Sequence, residues 1–473
     1  MITIGELLSR VVLPPSNKDF VDKDFRIIYL KVAIEQIDVE KLGLSKQFDK
    51  LYSQGDFIFK FFNELNSEFK TIDELNTYDT YGFYAEHLAI LKKIYENYVA
   101  VLDKNNLCDN ITLPLEFSIN KDFLSEFPNI TIFYEGYFSL FEFKIINKIS
   151  GLSLLNLHCS MNKFNKKNIE LFKGIGLDLD VGFDYILDIS NKKIIAKMAY
   201  LQNDLKYEVY EVPNRLIQIG MVKNSISKMI QNGISPSSIV LILPDEKFAK
   251  YIKSFDSEQY FNFAMGSDIK YSSVYKISHA INNYLNIDEP KYEARIEYFN
   301  IDKQYLQNEI RPKWKKLLCQ DTFFELFDFV SKDETNNDLQ KELFELRILL
   351  QNLLFGKEMD LKLTLKDGFK IFIKKLNKIT IDDIKSGKIT VMGILETRYT
   401  KYDGVIVVDF NDNIVPKKSV KDKFISSNVK KYSNLPTSID RENLQKYYYK
   451  KLFDNAKEVY ISYVTNKENT ISR

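Results

Sequence analysis

Between about residues 20 and 105, apolar side chains recur at three- and four-residue intervals with few glycines or prolines, as in FDKLYSQGDFIFKFFNELNSEF and YGFYAEHLAILKKIYENYVAVL. That spacing predicts a helical segment. The period then changes. NITIFYEGYFSLFEFKIINKI reads as a strand from Ile130 to Tyr134, a turn at Gly136 and a helix. The short apolar runs YILDI and IIAKMAYL, between Leu152 and Leu201, read as further strands. A second unit opens with KYEVYEV as a strand and continues with RLIQIGMVKNSISKMIQNG, a helix stopped by Gly233. SPSSIVLILPD follows as a buried strand running into Pro244. Helical spacing returns from about 275 to 380, for example in FFELFDFVSKDETNNDLQKELFELRILLQNLLF. Strands resume at Ile389 and include IVVD (Ile406 to Asp409) and EVYISYV (Glu458 to Val464), with a polar helical stretch between them.

Alternation of strand and helix at these lengths implies an α/β fold whose parallel sheets are covered by helices. Two domains are expected: residues 1–205 with a helical insert at about 20–115, and residues 206–473 with a helical insert at about 275–380. No internal repeat or low-complexity linker is visible.

Composition narrows the setting. With 45% apolar residues in 473, the chain can fill large cores and is not a disordered protein. Its 66 Lys and Arg nearly cancel its 65 Asp and Glu, so contact with nucleic acid has to come from local patches. Cys108, Cys159 and Cys319 lie far apart without CxxC spacing, which suggests neither a disulfide framework nor a zinc ribbon and fits a reducing cytoplasm. No apolar run is long enough to span a membrane, and MITIGELLSRVV, with acidic Glu6, lacks the basic lead-in of a signal peptide. The abrupt start and finish suggest a segment of a longer protein.

The last eighty or so residues end as the second motor domain of a helicase ends, yet the nucleotide chemistry is missing. A phosphate loop needs GxxxxGK[ST], because backbone N–H groups and a lysine neutralise the phosphates while a hydroxyl holds magnesium. No such string occurs, and SGKIT at Ser386 lacks both the upstream glycine and the following hydroxyl residue. Glu135 ends a strand where a magnesium-binding acid would stand, but Gly136 follows in place of a second acid. In the final helix, the position that carries a γ-phosphate-contacting arginine in superfamily-1 motors is Asp454 or a neighbour among Phe453 to Lys457, with no arginine. Catalytic residues and metal ligands are therefore expected to be absent, and His87, His158 and His279 stand apart from one another.

LILPDE places Asp245 and Glu246 after a buried strand, and Pro244-Asp245 with Asp268 and Lys270 spells a PD-(D/E)xK nuclease string. That chemistry requires the acids and lysine on neighbouring strands around a metal. The clearest basic feature is KKSVKDKFISSNVKK, with Lys417, Lys418, Lys421, Lys423, Lys430 and Lys431 against the single acid Asp422. It reads as phosphate contact beside a motor cleft, or as a solvated loop. Arg441 opens the final helix as a cap-region or DNA-facing charge, and Tyr447, Tyr448 and Tyr449 are candidates for base stacking or for the core.

The stretches VMGILETRYTKYDGVIVVDFNDNIVPKKSVKDKF and LPTSIDRENLQKYYYKKLF resemble the AddB (RexB-like) subunit of AddAB helicase-nucleases. ITIGELLSR, YEGYFSLFEFKI, NGISPSSIVLILPDEKFA and FNFAMG add weaker likeness in the same order along nearly the whole chain. The resemblance implies two RecA-like domains of superfamily-1 helicase type, DNA and an AddA-like motor as partners, and a role in double-strand break repair and recombination. Arg398, in ETRYT, then joins the six lysines and Arg441 as a candidate DNA contact. No cofactor is expected in this segment. The ATP, magnesium and iron-sulfur cluster implied for the parent complex would be handled by the motor partner and by a nuclease domain beyond this chain. Two alternatives stay open: an active ATP-dependent helicase whose phosphate loop precedes the segment, and a nuclease using Asp245, Asp268 and Lys270.

Overall fold

A computed structural model describes residues 2–78, 84–200, 205–356, 362–381, 387–412, 414–418 and 422–465. Two main sheets and one helical body make up the fold. The first sheet contains β1 (Asn129–Tyr134), β2 (Leu154–Met161), β3 (Phe183–Asp188) and β4 (Lys193–Ala199), in that spatial order. β1 and β2 are parallel, joined across the helix Leu140–Ser150, whereas β2–β3 and β3–β4 are antiparallel. This departs from the all-parallel sheet expected for the first half. The reason is connection length. Only residues 189–192 join β3 to β4, and a connection that short closes a hairpin, because a parallel neighbour needs a crossover of about a dozen residues or more.

The second sheet meets the expectation. β5 (Lys206–Val212), β6 (Ile239–Ile242), β7 (Phe261–Phe263), β8 (Ile389–Met392), β9 (Gly404–Val407) and β10 (Glu458–Val464) form one parallel sheet in the order β7-β8-β6-β9-β10-β5. Its central strands β6 and β9 are buried at every position, as continuous apolar runs covered on both faces should be. Alternate side chains serve two cores. Ile239 and Leu241 pack with Val222 and Met229 of the helix Arg215–Gln231, while Val240 and Ile242 pack with Tyr449 and Leu452 of the helix Ser438–Asp454. Each fully buried Val or Ile contributes roughly 1.5–3 kcal/mol relative to exposure, so this double coverage anchors the sheet.

The two helical inserts do not form separate subdomains. Helices Arg26–Ala33, Phe48–Ser67 and Ala85–Lys104 share a single apolar core with helices Ser273–Asn286, Gln320–Ser331, Asn337–Phe355 and Leu365–Leu376. Close approach within this core depends on Gly55, because a Cβ there would run into Ile27. Phe424, Ile425, Val429 and Leu435 extend the core towards the final helix, and Phe61 meets Phe424 edge-on at 5.6 Å. Among the described residues, no helix is long and apolar enough to cross a membrane.

Candidate functional site

Between the two sheets, side chains of the chain itself meet across a cleft. β1 delivers Glu135 and Gly136, and β2 and β3 deliver Ser160 and Asp184. The opposite wall is the helix Ser438–Asp454, begun by a Thr437 capping box with Asp440, together with Arg398 and Tyr399 after β8. Lys451 reaches across to donate to Ser160 Oγ and to Asp184 Oδ1 at 3.1 Å, and Ser160 in turn bonds Asp184. Tyr448 donates to the Glu135 carbonyl oxygen at 3.4 Å, with the Arg398 guanidinium 5.8 Å from its ring centroid. Gly136 has φ +147°, and a Cβ there would stand 3.3 Å from the Tyr448 hydroxyl, so glycine permits the contact.

Burial pushes the Glu135 carboxyl above its ordinary range, opposed by Lys451, a Tyr399 backbone N–H and Arg398. The carboxylate thus faces internal cations and a peptide donor. Tyr447 is fully buried, its hydroxyl without a hydrogen-bond partner among the described residues.

A second polar cluster fills the carboxyl edge of the parallel sheet, where ligands bind in open α/β folds at the point of strand-order reversal. Asn214 caps the helix that follows β5, and Arg215 at its first turn lies 2.8 Å from Asp245 and 2.9 Å from Asp409. Asp409 is 1% exposed with φ +49°, and the buried Gln218 amide lies against it at 3.2 Å. Burial raises the Asp409 carboxyl pKa and Arg215 opposes the shift. Asn411 clips the adjoining turn to β10 by accepting from Val464 N at 3.1 Å and donating to Val464 O at 2.8 Å. Both strand-end acids are neutralised from within.

In comparisons with known proteins, no family model and no curated protein matches this chain.

The candidate DNA contacts fall into two groups. Lys417, Lys418, Lys431 and Arg398 are exposed, although Arg398 Nε also donates to Leu395 O at 2.8 Å. Lys423 is exposed but folds back onto the helical body, donating to Gly43 O at 3.2 Å. Lys430 is 5% exposed, with its ammonium 2.6 Å from both Glu64 and Asp422, and Arg441 binds the other Glu64 oxygen. Lys430, buried, and Arg441, half-buried, therefore join a charge-balanced cluster in which their charge is met from within the chain. Glu64 supplies the counter-charge from a distant helix, which local sequence cannot reveal. Lys421 lies outside the described residues.

Tyr447, Tyr448 and Tyr449 are 0%, 5% and 6% exposed, so the core accounts for all three and base stacking does not. Asp454 pairs with Lys450 at 2.8 Å on the same helix. The nuclease string is not assembled. Asp245 belongs to the Arg215 cluster, whereas Asp268 lies on a separate two-stranded ribbon and pairs with Lys270 at 2.9 Å. No group of three or more potential metal ligands occurs among the described residues.

Proposed function

We propose that this chain is a helicase-like, ATPase-inactive DNA-binding subunit of an AddAB-type helicase-nuclease, serving double-strand break repair and recombination beside an AddA-like motor in the cytoplasm. The two sheets are taken as its two RecA-like units, the first of them reduced to one parallel pair plus a hairpin. One observation carries the reading: across the inter-sheet cleft Lys451 binds Ser160 and Asp184, and Tyr448, with Arg398 beside its ring, binds the Glu135 backbone carbonyl, so the chain's own groups take the places a nucleotide would need.

The residues present do not fit the cofactors of the parent complex. ATP with magnesium needs a phosphate cradle and an open strand-end acid, whereas Asp245 and Asp409 are bound by Arg215. An iron-sulfur cluster needs several convergent thiolates, whereas Cys108 and Cys159 are buried single thiols and Cys319 is exposed. DNA contact falls to the exposed Lys417, Lys418, Lys431 and Arg398. Fluorescence anisotropy with a duplex carrying single-stranded ends, alongside ATP hydrolysis by the same chain with that DNA, tests the reading. Salt-dependent binding without turnover is expected. DNA-stimulated ATP hydrolysis, or no binding at low salt, defeats it.

A further inference from the structure

A pocket of about 340 Å³ opens between the helices Phe48–Ser67 and Leu365–Leu376, away from the inter-sheet cleft. One helix contributes Asp49, Lys50 and Tyr52, and the other contributes Lys370 and Lys374. Lys370 and Lys374 share a helix face at i and i+4, where like charges repel unless something compensates them. Lys370 is compensated by Asp49 at 3.0 Å. Its neighbour is not. Lys374 donates to the Tyr52 carbonyl oxygen and lies 4.4 Å from the Tyr52 ring centroid, and no described carboxylate stands within ion-pair distance of it.

Burial lowers the Lys374 pKa, Lys378 and Lys375 lower it further, and Asp56 opposes them. Adjacent Lys375 gives no help, because its ammonium points the other way to Asp24. At the rim, Lys50 is exposed with no ion-pair partner among the described residues. Three lysines thus line a cavity of ligand size whose lining includes one carboxylate, Asp49, with Asp56 acting on Lys374 from nearby. Lysine binds phosphate as a mobile point charge, and a tetrahedral polyanion can meet two such groups at once.

We propose that this pocket is a phosphoryl-group site in which Lys374 and Lys50 are the principal ligands and Lys370, shared with Asp49, is an auxiliary one. The phosphoryl group belongs either to a small phosphorylated molecule or to a nucleic-acid backbone. The site stands independently of the DNA-binding reading above.

The test uses the full chain, with radiolabelled pyrophosphate in equilibrium dialysis and a labelled oligothymidylate in anisotropy, both at low ionic strength. Lys374→Gln and Lys50→Gln are compared with Lys374→Arg, which keeps the charge, and with Lys341→Gln, which removes an exposed lysine elsewhere. Matched thermal melts confirm folding, and Lys50→Gln, being at the surface, keeps the test valid where Lys374→Gln melts early. At least a tenfold weaker affinity for one or both probes is expected in the two Gln variants, with Lys374→Arg near wild type. Weakening confined to pyrophosphate identifies a small ligand. Parallel weakening of both probes, with pyrophosphate displacing the oligonucleotide, identifies the backbone. Wild-type affinity for both probes in the two Gln variants, or a loss no larger than that in Lys341→Gln, overturns the proposal.

Discussion

Lys430 Nζ stands 2.6 Å from Glu64 Oε2 although 366 residues separate the two in sequence. With Asp422 on the same ammonium and Arg441 on the other Glu64 oxygen, two cations and two carboxylates tie the helix Phe48–Ser67 to the final helix. Glu64→Gln leaves both cations short of charge in a largely buried place. A loss of roughly 3 kcal/mol in folding stability is expected, since breaking a buried pair strands its partner. Urea unfolding measures it, and a midpoint equal to wild type refutes it.

Arg215→Met removes the cation between Asp245 and the 1%-exposed Asp409. About 3 kcal/mol of destabilisation is expected at pH 8. Without Arg215, burial and the neighbouring Asp245 act on Asp409 against only the Gln218 hydrogen bond, and its folded-state pKa rises further above the unfolded value. A raised carboxyl costs stability above the unfolded pKa, so the defect shrinks as pH falls towards 5. Thermal melts at the two pH values decide this, and a defect that grows on acidification contradicts the assignment.

Glu68 caps the far end of Phe48–Ser67, is 5% exposed, and accepts from the Tyr137 hydroxyl at 3.1 Å. Burial pushes its carboxyl up to about 7 from an ordinary 4.5. Between those values the unfolded chain has released a proton that the folded chain keeps, so folding weakens as pH rises through that window. Glu68→Gln keeps an acceptor for Tyr137 and removes the titration. Its stability relative to wild type should increase from pH 5 to pH 8 by roughly 1–3 kcal/mol. A pH-independent difference argues against the shift.

For DNA, the exposed group Arg398, Lys417, Lys418 and Lys431 is the relevant set. Exchanging all four for Gln should flatten the plot of log affinity against log salt by roughly 0.9 for each phosphate that is no longer neutralised. Melting should shift less than in Glu64→Gln, since of the four only Arg398 also packs at the cleft wall, beside Tyr448. An unchanged salt slope would relegate these side chains to ordinary surface.

Lys451→Met removes the ammonium that links the final helix to Ser160 and Asp184. Faster amide hydrogen exchange is expected across β2 and β3 next to those residues, with the six-stranded sheet little affected. Exchange rates identical to wild type would show that this ammonium does not hold the cleft.

Much of the second sheet was legible in the sequence. IVLI and IVVD are apolar enough to demand burial on both faces, and Gly233 stops the helix before IVLI with a local signal. The first sheet was legible as strands but not as topology, because YILDI and IIAKMAYL fix strand content while the short ISNK connection fixes direction. The candidate site was harder to read. Lysine spacing around residues 417–431 gives no hint that Lys430 meets Glu64, since charge pairing across hundreds of residues is decided by packing. Lys374 was equally invisible: only the facing Tyr52 and the missing counter-ion distinguish it from Lys370.

The shared helical core has a consequence for how the chain becomes a protein. A cut at the connection between β4 and β5 would part the two sheets cleanly and still divide one apolar interior, leaving Leu51, Ile58 and Phe62 in one piece and Leu343, Phe369 and Phe372 in the other. Neither piece could hide that surface alone. During synthesis, the early helices must therefore wait, partly unshielded, for partners made more than two hundred residues later.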